Sequence, residues 1–332
     1  MFREEKLNIQ NPYYRNIVST FLKEHELVLD TVDTCFCIFD DDKIVACGCK
    51  EKNILKCFAV HNAYRNDGLF DRLLSKLLSD CYVEGESLIF CFTKLKNEVF
   101  FSSQNFITLA NGNESVLLYR GNKTITETLR FLTNNITKNK KGAIVMNANP
   151  FTLGHKYLIE KSCECVDELI VFVVEEDKSF FSFEERFYLV KEGVKDFSNV
   201  KVFPSTPFLI SRATFPSYFL KETTTINREH ALIDAKIFGA FFVPHFNISV
   251  RFLGDEPLDA NTNTYNEILL TELKKFSCDV KIIERLKTYD SKIISASTVR
   301  KLFFEKKLNE LKDFLPISTY NFLEKKLNEK KY

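Results

Sequence analysis

The spacing of apolar runs changes once along this chain, near a polar stretch at residues 133–141, and that change limits the folds open to it. Before the stretch, short strand-like runs follow one another. Residues 32–39 and 43–50 flank Asp40-Asp41-Asp42, which reads as a hairpin turn, and residues 53–60 supply a third strand. Residues 68–81 carry Leu69, Phe70, Leu73, Leu74, Leu77 and Leu78 at helical spacing. Residues 87–93 return to strand, and 106–110 pair with 115–120 around Asn111-Gly112-Asn113. After the stretch the order becomes strand, helix, strand. Residues 143–146, 169–174, 200–203, 248–253 and 280–283 read as strands, and 155–165, 184–194 and 265–276 as helices. Short apolar strands alternating with helices predict a parallel, doubly wound sheet. The expected organisation is therefore two α/β domains, 1–135 and 140–332, which suits a chain of 332 residues.

Charge narrows the partners. Lys and Arg number 46 against 45 acidic residues, giving a net charge of +1 and no long-range attraction to nucleic acid or an anionic membrane. No apolar run reaches the roughly 20 residues that span a bilayer. The start, Met1-Phe2-Arg3-Glu4-Glu5-Lys6, does not read as a signal peptide. The ten cysteines include no C-x-x-C pair and read as buried free thiols of a reducing, cytoplasmic setting, with no metal site among them.

The sharpest local signal is Gly142-Ala143-Ile144-Val145-Met146-Asn147-Ala148-Asn149-Pro150-Phe151-Thr152-Leu153-Gly154-His155. A strand leaves the sheet, a proline loop follows, and Gly154-His155 opens a helix. A helix N-terminus offers unpaired N–H groups and positive dipole to an anion. Gly154 has no Cβ to obstruct a phosphate, and the Thr152 and His155 side chains are expected to face it. This strand-to-helix turn is also where open α/β sheets bind ligands.

These residues resemble the T/H-x-G-H signature of the nucleotidyltransferase superfamily, with Thr152 in the place of a first His. The resemblance implies a second element near the C-terminus, and Ile294-Ser295-Ala296-Ser297-Thr298-Val299-Arg300 fits it. There Ser297 or Thr298 is expected to cap a helix, with Arg300 clamping phosphate oxygens. Residues 147–160 are similar to what citrate lyase ligases carry. So are Val174-Glu175-Glu176-Asp177, the stretch 210–221, Gly254-Asp255-Glu256-Pro257-Leu258 and Tyr265-Asn266-Glu267.

The N-terminal half adds to that likeness. Val60 to Phe70, between a strand and a helix, resembles the acyl-CoA loop of the GNAT acetyltransferase fold. Arg65 and Gly68 match its pattern, while Phe70 stands where a small residue is usual. Val60, Arg65 and Gly68 are thus candidates to hold a CoA-like arm through backbone N–H groups.

The family resemblance implies activation of acetate with ATP and Mg²⁺, followed by acetyl transfer to the thiol of the dephospho-CoA-type prosthetic group on citrate lyase's acyl carrier subunit. It implies His155 and Thr152 at the α- and β-phosphates, and Ser297, Thr298 and Arg300 at the leaving pyrophosphate. Asn147, Asn149, Phe151, Gly154, Gly254, Glu256 and Ser295 join them around the nucleotide. Arg212 is a candidate for the acetate carboxylate or a phosphate, whereas Lys178 and Arg186 read as salt-bridge residues. Two alternatives stay open from the residues themselves: an adenylyltransferase that forms a dinucleotide cofactor, and a non-catalytic CoA or acyl-carrier binding protein.

Overall fold

The chain passes between two units at 124/125, 214/215 and 233/234: Met1–Thr124 with Phe215–Ile233, and Ile125–Thr214 with Asp234–Tyr332. The sequence reading had a single cut between 135 and 140. The difference arises because residues 215–233, within the second half, join the first unit. The computed structural model describes residues 2–132, 140–175, 179–209, 218–220, 223–255, 260–286 and 293–329.

The first unit is built on a seven-stranded sheet of β1 (Arg3–Leu7), β2 (Thr34–Asp40), β3 (Lys43–Glu51), β4 (Ile54–Val60), β5 (Leu88–Lys94), β6 (Ile107–Asn111) and β7 (Ser115–Gly121). The strand order is β1-β2-β3-β4-β5-β7-β6, and every neighbouring pair is antiparallel except β4–β5. Helices α1 (Pro12–Glu24), α2 (Leu69–Val83) and α3 (Glu98–Ser102) accompany the sheet. The α2 stripe behaves as its spacing predicts: Leu74, Leu77, Leu78 and Cys81 pack with Leu55, Ile89, Cys91 and Phe101. Each leucine so buried contributes about 1.5–3 kcal/mol. The reading of buried free thiols also holds, since all ten cysteines are free and all but Cys163 and Cys165 are buried.

The second unit carries β8 (Lys141–Met146), β9 (Glu168–Val173), β10 (Val200–Pro204), β11 (Ile248–Gly254) and β12 (Asp279–Ile283), all parallel, in the order β10-β9-β8-β11-β12. Its helices follow as α4 (Ile125–Arg130), α5 (Leu153–Cys163), α6 (Phe183–Val194), α7 (Thr223–Ile237, which crosses 233/234), α8 (Val243–Phe246), α9 (Ala260–Glu272), α10 (Ala296–Phe304), α11 (Leu308–Leu311) and α12 (Ile317–Glu329).

Leu169 to Val173 in β9 are all buried, the near-continuous apolar run needed by a strand covered on both faces. On one face Ile144, Val171, Val173 and Phe252 pack with Ile159 of α5 and Leu189, Val190 and Val194 of α6. On the other, the Phe172 ring lies 5.1–6.4 Å from the rings of Phe238, Phe242 and Phe246. From β8 the chain winds to β9 on one side, while β11 lies on the other. The sheet therefore reverses its winding at β8 and β11, and the crevice beyond their carboxyl ends is where this architecture receives ligands. Among the described residues no helix is long and apolar enough to cross a membrane.

Candidate active site

The loop that leaves β8 enters this crevice, and two buried or half-buried guanidinium groups hold its shape. Ala148 adopts a left-handed φ of 50°, which costs an L-residue about 1–2 kcal/mol and must be imposed by its surroundings. Arg186 supplies much of that constraint. It is fully buried, and its Nη1 donates to the carbonyls of Asn147 (2.7 Å) and Val174 (2.8 Å) and to Asn147 Oδ1 (2.7 Å). Its Nε donates to Phe181 O (3.1 Å). Arg186, read from the sequence as a salt-bridge residue, is through these bonds an internal tie among the ends of β8, β9 and the start of α6. Asn147 spends its side chain on Arg186 and Ser179, and Asn149 Oδ1 accepts from Phe181 N (3.1 Å). Both asparagines shape the loop.

At the start of α5 the sequence writes its own cap. Thr152 is the N-cap, and its hydroxyl accepts from His155 N (3.4 Å). In return His155 Nδ1 accepts from Thr152 N (3.1 Å) and lies 2.9 Å from Thr152 Oγ1. This is a capping box with histidine in the place of the usual Glu or Gln. Thr152, expected to face a phosphate, is 1% exposed with its hydroxyl in the cap, and it positions His155.

An Nδ1 that accepts a backbone N–H carries no proton, so a neutral ring carries its proton on Nε2 and donates from there. Leu153 N is used by Phe314 O (2.9 Å). Of the N–H groups in this first turn, Gly154 N is left without a partner among the described residues. The α5 terminus thus offers Gly154 N–H and His155 Nε2–H as its donors.

Phe151, expected beside the nucleotide, is instead fully buried in the core. Its ring fills the space where a Gly193 Cβ would stand and stacks on His155 at 5.8 Å and 17°. Aromatic burial at this position backs the imidazole.

Burial pushes the His155 pKa down to about 4, and the Arg285 guanidinium adds to the effect. The ring is therefore neutral near pH 7. The folded state binds fewer protons than the unfolded state between about pH 4 and 6.5, so this group's stabilisation is complete above about 6.5 and is lost as pH falls toward 4. We expect the melting temperature of wild type to fall relative to that of His155→Asn as pH is lowered from about 7.5 to about 4.5. Wild type gaining on the variant over that range would show that the imidazolium, not the imidazole, is held in the fold.

The C-terminal element sits against this turn. A Cβ on Gly154 would stand 3.2 Å from Ile294 O, so the glycine admits the backbone of the second motif as well as any phosphate. Arg300 Nη1 donates to Asn149 O, latching α10 to the β8 loop, and burial lowers the Arg300 pKa. The cap of α10 is Ser295, not Ser297 or Thr298: its Oγ accepts from Thr298 N (3.1 Å). Ser295 Oγ also lies 2.9 Å from Ser297 Oγ and 2.8 Å from Thr298 Oγ1, so three hydroxyls crowd one helix N-terminus. Two helix N-termini, five hydroxyl and ring donors or acceptors, and Arg300 meet at one loop.

Gly254 ends β11, and no described atom lies within 4 Å of where its Cβ would be. Asp255 N bonds Ile283 O (2.8 Å). Arg285, just past β12, was not singled out from the sequence, yet its charge is felt by His155 and is itself offset by Asp255. A cation immediately after the last strand, at the carboxyl edge of a parallel sheet, was the available signal. Arg212, Glu256 and Lys178 lie outside the described residues. Of the candidates on the first unit, Gly68 is the N-cap of α2 with φ 68°, Arg65 is exposed and Val60 half-buried. The Phe70 ring turns into Phe58, Phe100 and Phe101 (5.2–5.9 Å).

Residues 141–323 match the family profile of the citrate lyase ligase C-terminal domain. A [citrate [pro-3S]-lyase] ligase of Haemophilus influenzae is 36% identical over 323 residues, covering 93% of this chain and 95% of that protein. The chain belongs to the citrate lyase ligase family. Further relatives with the same description come from Klebsiella pneumoniae (36% identical; 93% of this chain, 92% of that one) and Escherichia coli (35%; 92% and 89%). As a member of the citrate lyase ligases this chain is an enzyme of the ligase class, and the likeness runs through both units, as the combined reading of the two halves expected. A crystal structure of a GNAT-family acetyltransferase from Staphylococcus aureus Mu50 also matches 37% of this chain and 100% of that one, at 15% identity and a TM-score of 0.31.

Proposed function

We propose that this ligase acetylates the prosthetic-group thiol of the citrate lyase acyl carrier subunit in two steps. Acetate attacks the α-phosphorus of ATP, forming acetyl adenylate as pyrophosphate leaves. The carrier thiol, losing its proton, then attacks the acetyl carbonyl, and AMP departs. The observation that carries the reading is the meeting of the α5 and α10 N-termini through Gly154–Ile294 and Arg300–Asn149. In this reading, as negative charge grows on the five-coordinate phosphorus, Gly154 N–H and His155 Nε2–H would stabilise it, and fixed donors of this kind are the largest usual contribution to rate. Arg300, Ser297 and Thr298 would take the pyrophosphate, with Arg285 adding positive potential. Mg²⁺ would enter on the triphosphate, held by phosphate oxygens and water, and neutralise charge there.

The test is exchange of labelled pyrophosphate into ATP. Exchange that requires acetate supports acetyl adenylate formation. No exchange, even with the deacetylated carrier present, removes the proposal, and formation of a dinucleotide from ATP and a phosphorylated acceptor would replace it with an adenylyltransferase.

A further inference from the structure

Strands β4 and β5 pair only through Ile54↔Phe90 and Leu55↔Cys91, although β4 continues to Val60 and β5 to Lys94. Beyond that point they share no ladder. The opposite edge of β4 is irregular too, with a register shift against β3 and a left-handed φ of 57° at Cys57. Two diverging parallel strands leave main-chain groups facing a wedge, and buried main-chain groups must find partners. An extended chain bearing amides fits such a wedge through main-chain hydrogen bonds. The pantetheine-type arm of a thiol substrate is such a chain.

The wedge already has an occupant, and it is this protein. Tyr218 OH donates to Phe92 O of β5 (3.0 Å) from a buried position, and Tyr218 O accepts from Val28 N (2.8 Å). The next residue, Phe219, sets its ring 5.1 Å from that of Phe92. Tyr218, Phe219 and Leu220 are 5%, 6% and 8% exposed, the burial of core residues. Burial pushes the Tyr218 hydroxyl well above its ordinary pKa, as do the Cys91 and Cys57 thiols, while Thr93 and the Cys57 main chain act against them. Tyr218 thus bonds β5 at Phe92 and is electrostatically coupled to Cys57 of β4.

The segment is pinned a second time further along. The Glu229 carboxylate accepts from Asn113 N (3.0 Å), Glu114 N (3.2 Å), Ser115 N (3.1 Å) and the Ser115 hydroxyl, all at the β6–β7 turn. Gly112 makes the room, since a Cβ there would stand 2.0 Å from Glu229 Oε2. The His230 ring packs 5.5 Å from Phe92. A carboxylate at 2% exposure with four donors is a strong anchor, because losing it would leave the buried Ser115 N–H unpaired.

We propose that the β4–β5 wedge of the first unit is a self-occupied cleft, in which Tyr218 stands where the amide-bearing arm of a thiol substrate would seat, so that the native chain does not admit such an arm there. This revises the expectation that Val60, Arg65 and Gly68 hold a CoA-like arm, since the wedge beside their loop is filled. It is independent of the proposed chemistry, because it concerns binding to the first unit alone.

A photoreactive pantetheine tests it on the full-length protein. That probe lacks adenine and phosphate, and mass spectrometry of labelled peptides reports where it bound. Wild type and Tyr218→Phe, which keeps the ring in place, are expected to leave the peptides of residues 54–60 and 88–94 unlabelled. Tyr218→Ala is expected to raise labelling of those peptides about tenfold or more at a fixed subsaturating concentration, equivalent to about 1.4 kcal/mol of binding. Should Tyr218→Ala not fold by circular dichroism, Tyr218→Leu, which shortens the side chain with less loss of packing, replaces it. Wild type labelled as heavily as the truncated variant would overturn the proposal, because the arm would then expel Tyr218 unaided. A folded Tyr218→Ala that stays unlabelled would overturn it equally, since Tyr218 would not be what keeps the arm out.

Discussion

Replacing His155 by alanine is expected to lower acetate-dependent pyrophosphate exchange by about 10²–10³-fold, the usual cost of removing one fixed donor to a developing oxyanion. Alanine also removes the ring nitrogen that caps Thr152 N, so it is expected to cost about 1 kcal/mol of stability as well. His155→Asn separates the two effects. An asparagine oxygen can take the place of Nδ1 and accept from Thr152 N, but no atom of asparagine reaches the place of Nε2. The expected result is a melting temperature near that of wild type with exchange as low as in the alanine variant. Recovery of exchange in His155→Asn would show that the imidazole serves only as a cap, and the donor role assigned to Nε2 would be withdrawn.

The second large effect is on folding. Arg186→Met keeps the volume of the side chain in a fully buried site but strands the carbonyls of Asn147, Val174 and Phe181. Removing one side of a buried charged network costs about 3–5 kcal/mol. For a unit of this size each kcal/mol moves the midpoint by about 2–4 °C, so a fall on the order of 10 °C is expected. Arg186→Lys should recover little of it, because one ammonium cannot reproduce a fork that serves several acceptors in different directions. A midpoint unchanged in Arg186→Met would mean that the β8 loop holds its shape by other means.

Much of this was legible in the residues, and the parts that were not share a cause. Apolar patterning placed the strands of both sheets other than β1, and the α2 stripe, because those elements bury apolar faces. It did not show β1, whose Arg3, Glu4, Glu5 and Lys6 lie on a charged edge strand. Nor was α1 read, although Asn11 caps it and Pro12 opens it. The motif around Thr152 and His155 was found at the right turn, but the capping bonds between the two residues were not read. A side chain's choice between capping its own helix and donating outward depends on geometry of a few ångströms that spacing cannot encode. The burial of Arg186 and its bonds to main-chain carbonyls were likewise not legible, since spacing does not show which arginine is enclosed. Family likeness, not periodicity, pointed to the reaction, and the fold then supplied the crevice at β8 and β11 in which those residues meet.

The return of residues 218–233 to the first unit has a consequence for how the protein is made. A ribosome releases the N-terminal unit long before Tyr218 and Glu229 have been synthesised. Until they emerge, the β4–β5 wedge and the β6–β7 turn lack their partners, so the first unit is finished only after β8, β9 and β10 have left the ribosome. Order of synthesis and order of completion therefore differ. A fragment cut near residue 130 carries the first unit without Tyr218 and Glu229, the partners of its wedge and its turn.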